Sequence, residues 1–301
     1  MSNKKKLSII VVNYNTKDLI QTCLNSISDI GKNKENEVFV VDNASIDGSV
    51  QSIKSLFPWV YLIENKENLG FAKANNQAIK LAQGEYILLL NPDTENIGNA
   101  IEQTLNFIEN HPEIDAITCR VELANGELDW ASHRGFPTPW ASFCYFIGLE
   151  KIFPKSKLFS QYHLTYLALN EPHEIDVPSG CFFMVRRKVI EKVGLLDESY
   201  FMYGEDVDWA YRIKKAGGKI YFYPDAKIIH YKGCSSGIKK ETQKKTTVSK
   251  ATRIKAVNHF YDAMKIFYKK HYKTKYPFFI NWLIYLGIEI KRQISLLCLR
   301  V

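Results

Sequence analysis

Five short apolar runs, at residues 7–12, 38–41, 60–63, 86–90 and 116–118, are separated by stretches of helical character such as residues 18–30 and 71–83. No other feature narrows the possible folds as far. Runs this short, rich in Val, Ile and Leu, suit strands covered on both faces, and that requires helices on both sides of a sheet. The expectation is an α/β domain built on a mostly parallel, doubly wound sheet, whose ligands bind outside the C-terminal strand ends. The residues just past those ends are polar: Asn13-Tyr14-Asn15, Asp42-Asn43-Ala44-Ser45, residues 65–76 and Asn91-Pro92-Asp93. Each alone is ordinary turn chemistry, because Asn, Asp, Gly and Pro punctuate loops. Four such segments on one edge of one sheet are better explained as a site.

Several classes of function are excluded at this level. A dinucleotide-binding strand should run into G-x-G-x-x-G, yet Val12 is followed by Asn-Tyr-Asn-Thr-Lys with no glycine before Gly31. A P-loop is also missing. The 301 residues, 46% hydrophobic and 24% charged, can bury one large core or two unequal ones. The first apolar run is too short for a signal peptide, so the protein is expected to stay in the cytoplasm. Cys23, Cys119, Cys144, Cys181, Cys234 and Cys298 show no metal-ligand spacing and read as reduced thiols.

Residues 201–212 crowd Glu205, Asp206 and Asp208 into an aromatic-rich segment. Adjacent carboxylates in a partly dry pocket imply a raised pKa, a nearby cation or work as a base. The alternative is a helix start that favours acids, with Asp208 and Arg212 as an i,i+4 pair.

The net charge of +8 is uneven: residues 232–255 hold eight Lys or Arg against Glu241 alone. A second cluster, Lys265, Lys269, Lys270, Lys273 and Lys275, precedes an apolar tail. Such charge suits phosphorylated ligands or anionic lipid, and no nucleic-acid motif accompanies it. Phe279, Leu283, Leu286, Ile290, Ile294 and Leu297 recur at helical spacing, which predicts an amphipathic helix. Its longest uncharged run, residues 276–288, is 13 residues, too short to span a bilayer. That helix either lies in the membrane interface or is buried against the domain or a dimer partner.

A longer set of motifs is collinear over residues 7–237. It comprises Val11-Val12-Asn13-Tyr14-Asn15, Val41-Asp42-Asn43-Ala44-Ser45-Ile46-Asp47-Gly48-Ser49, Asn68-Leu69-Gly70-Phe71-Ala72 and Leu89-Leu90-Asn91-Pro92-Asp93-Thr94. It continues with Ser179-Gly180-Cys181, residues 201–212, and His230 followed by Gly233 and Ser235-Ser236. With these motifs the chain resembles the inverting family 2 glycosyltransferases of the GT-A fold, in particular the bacterial rhamnosyltransferase-like members that build surface polysaccharides.

The resemblance implies a transferase taking a sugar, rhamnose from dTDP-rhamnose, to a hydroxyl of a glycan or lipid-linked glycan. A UDP-hexose or UDP-galactofuranose donor is the alternative, as is an inert carbohydrate-binding homologue. It makes Asp206 the catalytic base, tuned by Glu205. Asp93 and His230 become ligands of Mg²⁺ or Mn²⁺, with Asn91 standing where the family's motif begins with Asp. Asp42 reads the base N3–H of thymine or uracil, Tyr14 stacks on the base, and Asn68, Gly70 and Asn75 lie near the ribose and diphosphate. Ser179, Gly180 and Trp209 fall on the acceptor side. The expected organisation is a GT-A domain over residues 1–255 and a helical extension over 256–301. Within the first, residues 7–123 bind donor, 124–230 bind acceptor, and 231–255 form a mobile basic loop over the diphosphate.

Overall fold

The computed structural model describes residues 5–231 and 250–299. The order is β1 (Leu7–Asn13), α1 (Lys17–Ser26), α2 (Ser28–Lys32), β2 (Asn36–Asp42), α3 (Ser49–Leu56), β3 (Tyr61–Glu64), α4 (Phe71–Leu81) and β4 (Tyr86–Leu90). Then follow β5 (Thr94–Asn96), α5 (Ala100–Asn110), β6 (Ala116–Leu123), α6 (Pro139–Phe146), α7 (Leu149–Ile152), β7 (His173–Ile175) and β8 (Phe182–Arg186). The chain continues with α8 (Arg187–Val193), α9 (Glu205–Lys215), β9 (Ile220–His230), α10 (Lys250–His271) and α11 (Phe278–Cys298).

One sheet runs β3-β2-β1-β4-β8-β6-β9-β5, with β7 paired to β9. The expected parallel pairing holds for β3, β2, β1 and β4. Beyond β4 the sheet is mixed rather than mostly parallel: β8 is antiparallel to both β4 and β6, and β5 and β7 are antiparallel to β9. The insertion of β8 has a positional consequence. An antiparallel strand starts at the edge where its neighbour ends, so residues 179–181 enter beside the loop that leaves β4. The Asn91 N–H donates to the Cys181 carbonyl at 3.1 Å across that junction.

Alternate residues of β1 serve opposite faces of the sheet. Ile10 and Val12 join one buried cluster with Phe39, Ala72, Phe183 and Trp209. Ile9 and Val11 join the other with Ile20, Leu88, Phe182 and Met184. Both faces being covered explains why the strand carries no polar alternation.

Helix α10 crosses the boundary expected at residues 255 and 256, and sends Ala263, Phe267 and Tyr268 into the first cluster. Helix α11 lies against α10 through Ile288, Val257 and Tyr261, with Lys265 paired to Glu289 at 2.7 Å. Its other face keeps Phe279, Leu283, Ile290, Ile294 and Leu297 at least half exposed. Among the described residues no helix is long and apolar enough to cross a membrane. The described cysteines are free; four are buried and Cys298 is exposed. Most of the basic segment, with Gly233, Cys234, Ser235 and Ser236, lies outside the described residues.

Candidate active site

A cleft of about 990 Å³ opens at the C-terminal strand ends. Tyr14, Asn68, Gly70, Asn91 and Asp93 line it from the first half of the chain, and Ser179, Gly180, Glu205, Asp206 and His230 from the second. The loops after β1 and β2 are latched together, the Asn15 N–H donating to Ser45 Oγ at 2.8 Å and the Ile46 N–H to Asn15 Oδ1 at 2.8 Å. That latch presents Tyr14, 45% exposed, as an aromatic surface on the cleft. Gly70 has φ of +83°, and a Cβ there would lie 2.4 Å from the Phe201 carbonyl oxygen. The Phe71 N–H donates to that same oxygen at 2.7 Å, so only glycine lets the loop before α4 close onto residue 201.

Asp42 is placed differently from the expectation. It is 1% exposed and does not line the cleft. Its Oδ2 accepts from Asn13 Nδ2 at 2.7 Å and its Oδ1 from the Ser45 N–H at 2.8 Å, an Asx turn. A base can use only the lone pairs those bonds leave.

Two expected contacts are overturned. Asn75 is 1% exposed, and its amide donates back to the Phe71 carbonyl at 2.9 Å within α4. Trp209 is fully buried, set edge-on to Phe183, with its indole N–H on the Gly194 carbonyl at 2.9 Å. One turn beyond Glu205 along α9, the same helix face has left the cleft and entered the core.

At the sheet edge, His230 Nε2 lies 3.3 Å from Asp93 Oδ1, and Nδ1 lies 3.0 Å from Asp129 Oδ2. Burial works against a proton on this ring, yet Asp93 and Asp129 hold its pKa well above the usual imidazole value. The set fits a divalent cation. With its Nδ1–H given to Asp129, the ring faces Asp93 through Nε2, and a cation that replaced the Nε2 proton would meet an imidazole lone pair beside a carboxylate, with Asp129 behind the ring in the carboxylate–histidine arrangement of metal sites. Among the described residues no group of three or more His, Cys, Asp or Glu side chains is arranged to hold a metal ion by itself, so a hard cation here would need further oxygen ligands from ligand or water. Asp129 was invisible to sequence reasoning.

On the other wall, Gly204, with φ of +83°, turns the chain into α9, and a Cβ there would lie 3.2 Å from both Ala263 Cβ and Tyr200 Cε1. Asp206 Oδ2 accepts from Arg134 Nη2 at 3.1 Å and from the Gly180 N–H at 3.3 Å. Arg134, which the sequence did not single out, also lines the cleft. Burial, reinforced by Asp206, pushes the Glu205 carboxyl up to about 8, and its Oε2 has no hydrogen-bond partner. With Glu205 neutral the pair presents one carboxylate. Asp208 is the structural residue expected: fully buried, it pairs with Arg212 at 2.8 Å and with Lys270 and His271 at 2.7 Å each.

The shift at Glu205 sets a pH dependence. A carboxyl raised by folding stabilises the native state below its unfolded value of 4.5 and loses that contribution as pH climbs through about 8. Thermal unfolding across pH 4.5 to 8 should therefore show a decline that Glu205→Gln reduces, by on the order of a few kcal/mol. Parallel declines in both proteins would assign the loss to other groups.

The family model described as Glycosyl transferase family 2 matches residues 8–194, from β1 through α8. The chain is 28% identical over 244 residues to N-acetylglucosaminyl-diphospho-decaprenol L-rhamnosyltransferase of Mycobacterium tuberculosis, covering 77% of this chain and 78% of that protein. It is 28% identical over 172 residues to rhamnosyltransferase WbbL of Escherichia coli, covering 54% and 61%. Among solved structures, the mannosyltransferase PcManGT from Pyrobaculum calidifontis, in complex with GDP-Man and Mn²⁺, is similar over 99% of this chain and 73% of that one. Its TM-score is 0.56 at 18% identity, a likeness of fold.

Proposed function

Because this chain belongs to glycosyl transferase family 2, and is a glycosyltransferase of the GT-A fold, we propose that it transfers rhamnose from dTDP-rhamnose, with inversion, to a hydroxyl of a glycan or lipid-linked glycan. The observation that carries this reading is a single cleft bearing the Asp93–His230 pair on one wall and the Glu205–Asp206 pair on the other. The rhamnose choice is supported by the two rhamnosyltransferases at 28% identity. A UDP-sugar would use the same donor contacts. Residues 7–123 are assigned to the donor and 124–230 to the acceptor, with the enzyme working at the cytoplasmic face of a membrane.

Asp93 and His230 would hold Mn²⁺ or Mg²⁺, and Asp129 would fix the imidazole. A divalent cation there supplies positive charge against the departing diphosphate. Asp206 accepts the proton of the acceptor hydroxyl as its oxygen bonds to the anomeric carbon and the bond from that carbon to the diphosphate oxygen breaks. The diphosphate leaves with that electron pair, and the single displacement inverts the centre. Arg134 and the Gly180 N–H hold Asp206 in place by donating to Oδ2, and the Val207 N–H donates to Oδ1 at 2.8 Å, so the hydroxyl proton goes to a lone pair that these bonds leave. Tyr14 is assigned to the base face, and Asn68 and Gly70 to the ribose and diphosphate.

A nucleotide screen tests the donor assignment. The lone pairs Asp42 retains can accept from N3–H of thymine or uracil, whereas N3 of cytosine offers only its own lone pair. Thymidine and uridine diphosphates should therefore raise the melting temperature, and cytidine diphosphate should not. A ligand at about 100 times its dissociation constant adds roughly 2.7 kcal/mol, a readable shift. Asp42→Ala should erase the preference; if it persists, Asp42 only holds Asn13 and Ser45 together. Turnover with dTDP-, UDP-, GDP- and CDP-sugars then identifies the donor, and turnover with none of them would defeat the transferase reading.

A further inference from the structure

The cleft does not end at the catalytic carboxylates. It continues as a groove between α6 and α11, past Phe143 and Phe146 on one side and Leu283, Gly287 and Ile290 on the other. At about 990 Å³ the whole cavity stands at the upper end of the range for one small ligand, roughly 300 to 1,000 Å³, which leaves room for more than a donor. The groove's walls are apolar but wet: Phe143, Leu283 and Ile290 are each about half exposed. Among the described residues lining this stretch, Lys291 is the charged one, its ammonium 4.8 Å over the Phe146 ring, and there is no acid. Gly287 sits inside α11, where glycine costs about 1 kcal/mol relative to alanine. A Cβ there would meet nothing within 4 Å, so the space in front of it is open.

Helix α11 does not need the groove for its own packing. Ile288 seats it on α10, and Arg292 to Asn258 at 2.9 Å and Tyr261 to Ser295 at 2.7 Å hold it there. An apolar channel that opens into the cleft, carries one cation and is left unfilled by the described residues matches a hydrocarbon chain ending in phosphate. We propose that the α6–α11 groove binds the isoprenoid chain of a polyprenyl-diphosphate-linked acceptor, threading it so that the attached sugar reaches Asp206. This rests on the transferase reading above, and adds to it which part of the chain recognises the lipid.

The test measures binding, not turnover, with dTDP and Mn²⁺ present to fill the donor side. Farnesyl diphosphate should bind the wild-type protein at least about tenfold more tightly than the short dimethylallyl diphosphate, because the additional methylenes are buried. Gly287→Phe, which fills the groove, and Ile290→Glu, which places an acid on its wall at an exposed position, should each bring the two ligands to within about threefold of one another. Leu297→Glu lies on the same exposed stripe of α11 but outside the cleft, and should keep the wild-type ratio. Equal loss in Ile290→Glu and Leu297→Glu would mean that the whole stripe acts as a general apolar surface, and would overturn the groove. A wild-type ratio near one would do the same, including the case where sedimentation shows a second copy of the chain covering α11. Chain-length discrimination without sugar transfer would defeat the transferase reading alone, whereas transfer to a water-soluble glycan without such discrimination would defeat the groove alone.

Discussion

Asp206→Asn should lower turnover by about 10²- to 10⁴-fold while leaving donor affinity near the wild-type value, the signature of losing a general base. The substitution keeps the side chain's shape and its capacity to accept from Arg134 and the Gly180 N–H. What it removes is the ability to take a proton. Arg134→Lys offers a graded companion. A lysine keeps the charge but lacks the planar guanidinium that anchors Oδ2, so turnover should fall by less than in Asp206→Asn. Calorimetry with the donor nucleotide separates the two effects from a loss of donor binding. Near-normal turnover in Asp206→Asn would move the base to Glu205, and that residue would then have to act from a carboxyl held at about 8.

Chelation should abolish transfer, and Asp93→Ala should reproduce most of that loss with metal present. A divalent cation contributes several kcal/mol to stabilising charge on a leaving diphosphate, which converts to at least about 10³ in rate. His230→Ala should cost less than Asp93→Ala, because it removes a neutral ligand rather than a formal charge. Asp129→Asn should weaken metal affinity by about 10- to 100-fold through the loosened imidazole. Titrating Mn²⁺ into each variant and following donor hydrolysis ranks them. Full activity in excess chelator would reject the metal assignment and hand the diphosphate to basic side chains.

The first half of this fold was legible because β1, β2 and β4 are buried on both faces, so each appears as an apolar run ending in polar residues, while the edge strand β3 keeps the same apolar signature though partly exposed. That regularity is what brought Tyr14, Asn68, Asn91 and Asp93 into view. Strand β9 was not legible. Its residues alternate between buried and half-exposed, Pro224 and Asp225 interrupt it, and its pairing to β6 shifts register at Cys119 and Arg120. Asp129 and Arg134 were missed for a different reason. Each acquires its role from a partner far along the chain, His230 at 101 positions and Asp206 at 72, and no local period marks such a pair. Trp209 and Asn75 were over-read because nearness in sequence to a cleft residue says little about which way a helix face turns.

The pairing of Asp208 with Lys270 and His271 bears on the order in which the newly made chain becomes competent. All of the described strands and the loops that follow β1 to β4 have left the ribosome before residue 270 does. Until then the Asp208 carboxylate, two residues beyond Asp206, has Arg212 as its described partner, and breaking a buried ion pair by removing partners costs about 3 to 5 kcal/mol. The nascent protein can therefore form its sheet early, while α9, which carries Asp206, becomes secure only when α10 folds back onto it. Premature termination within α10 would release a chain with a formed sheet and an unanchored Asp206.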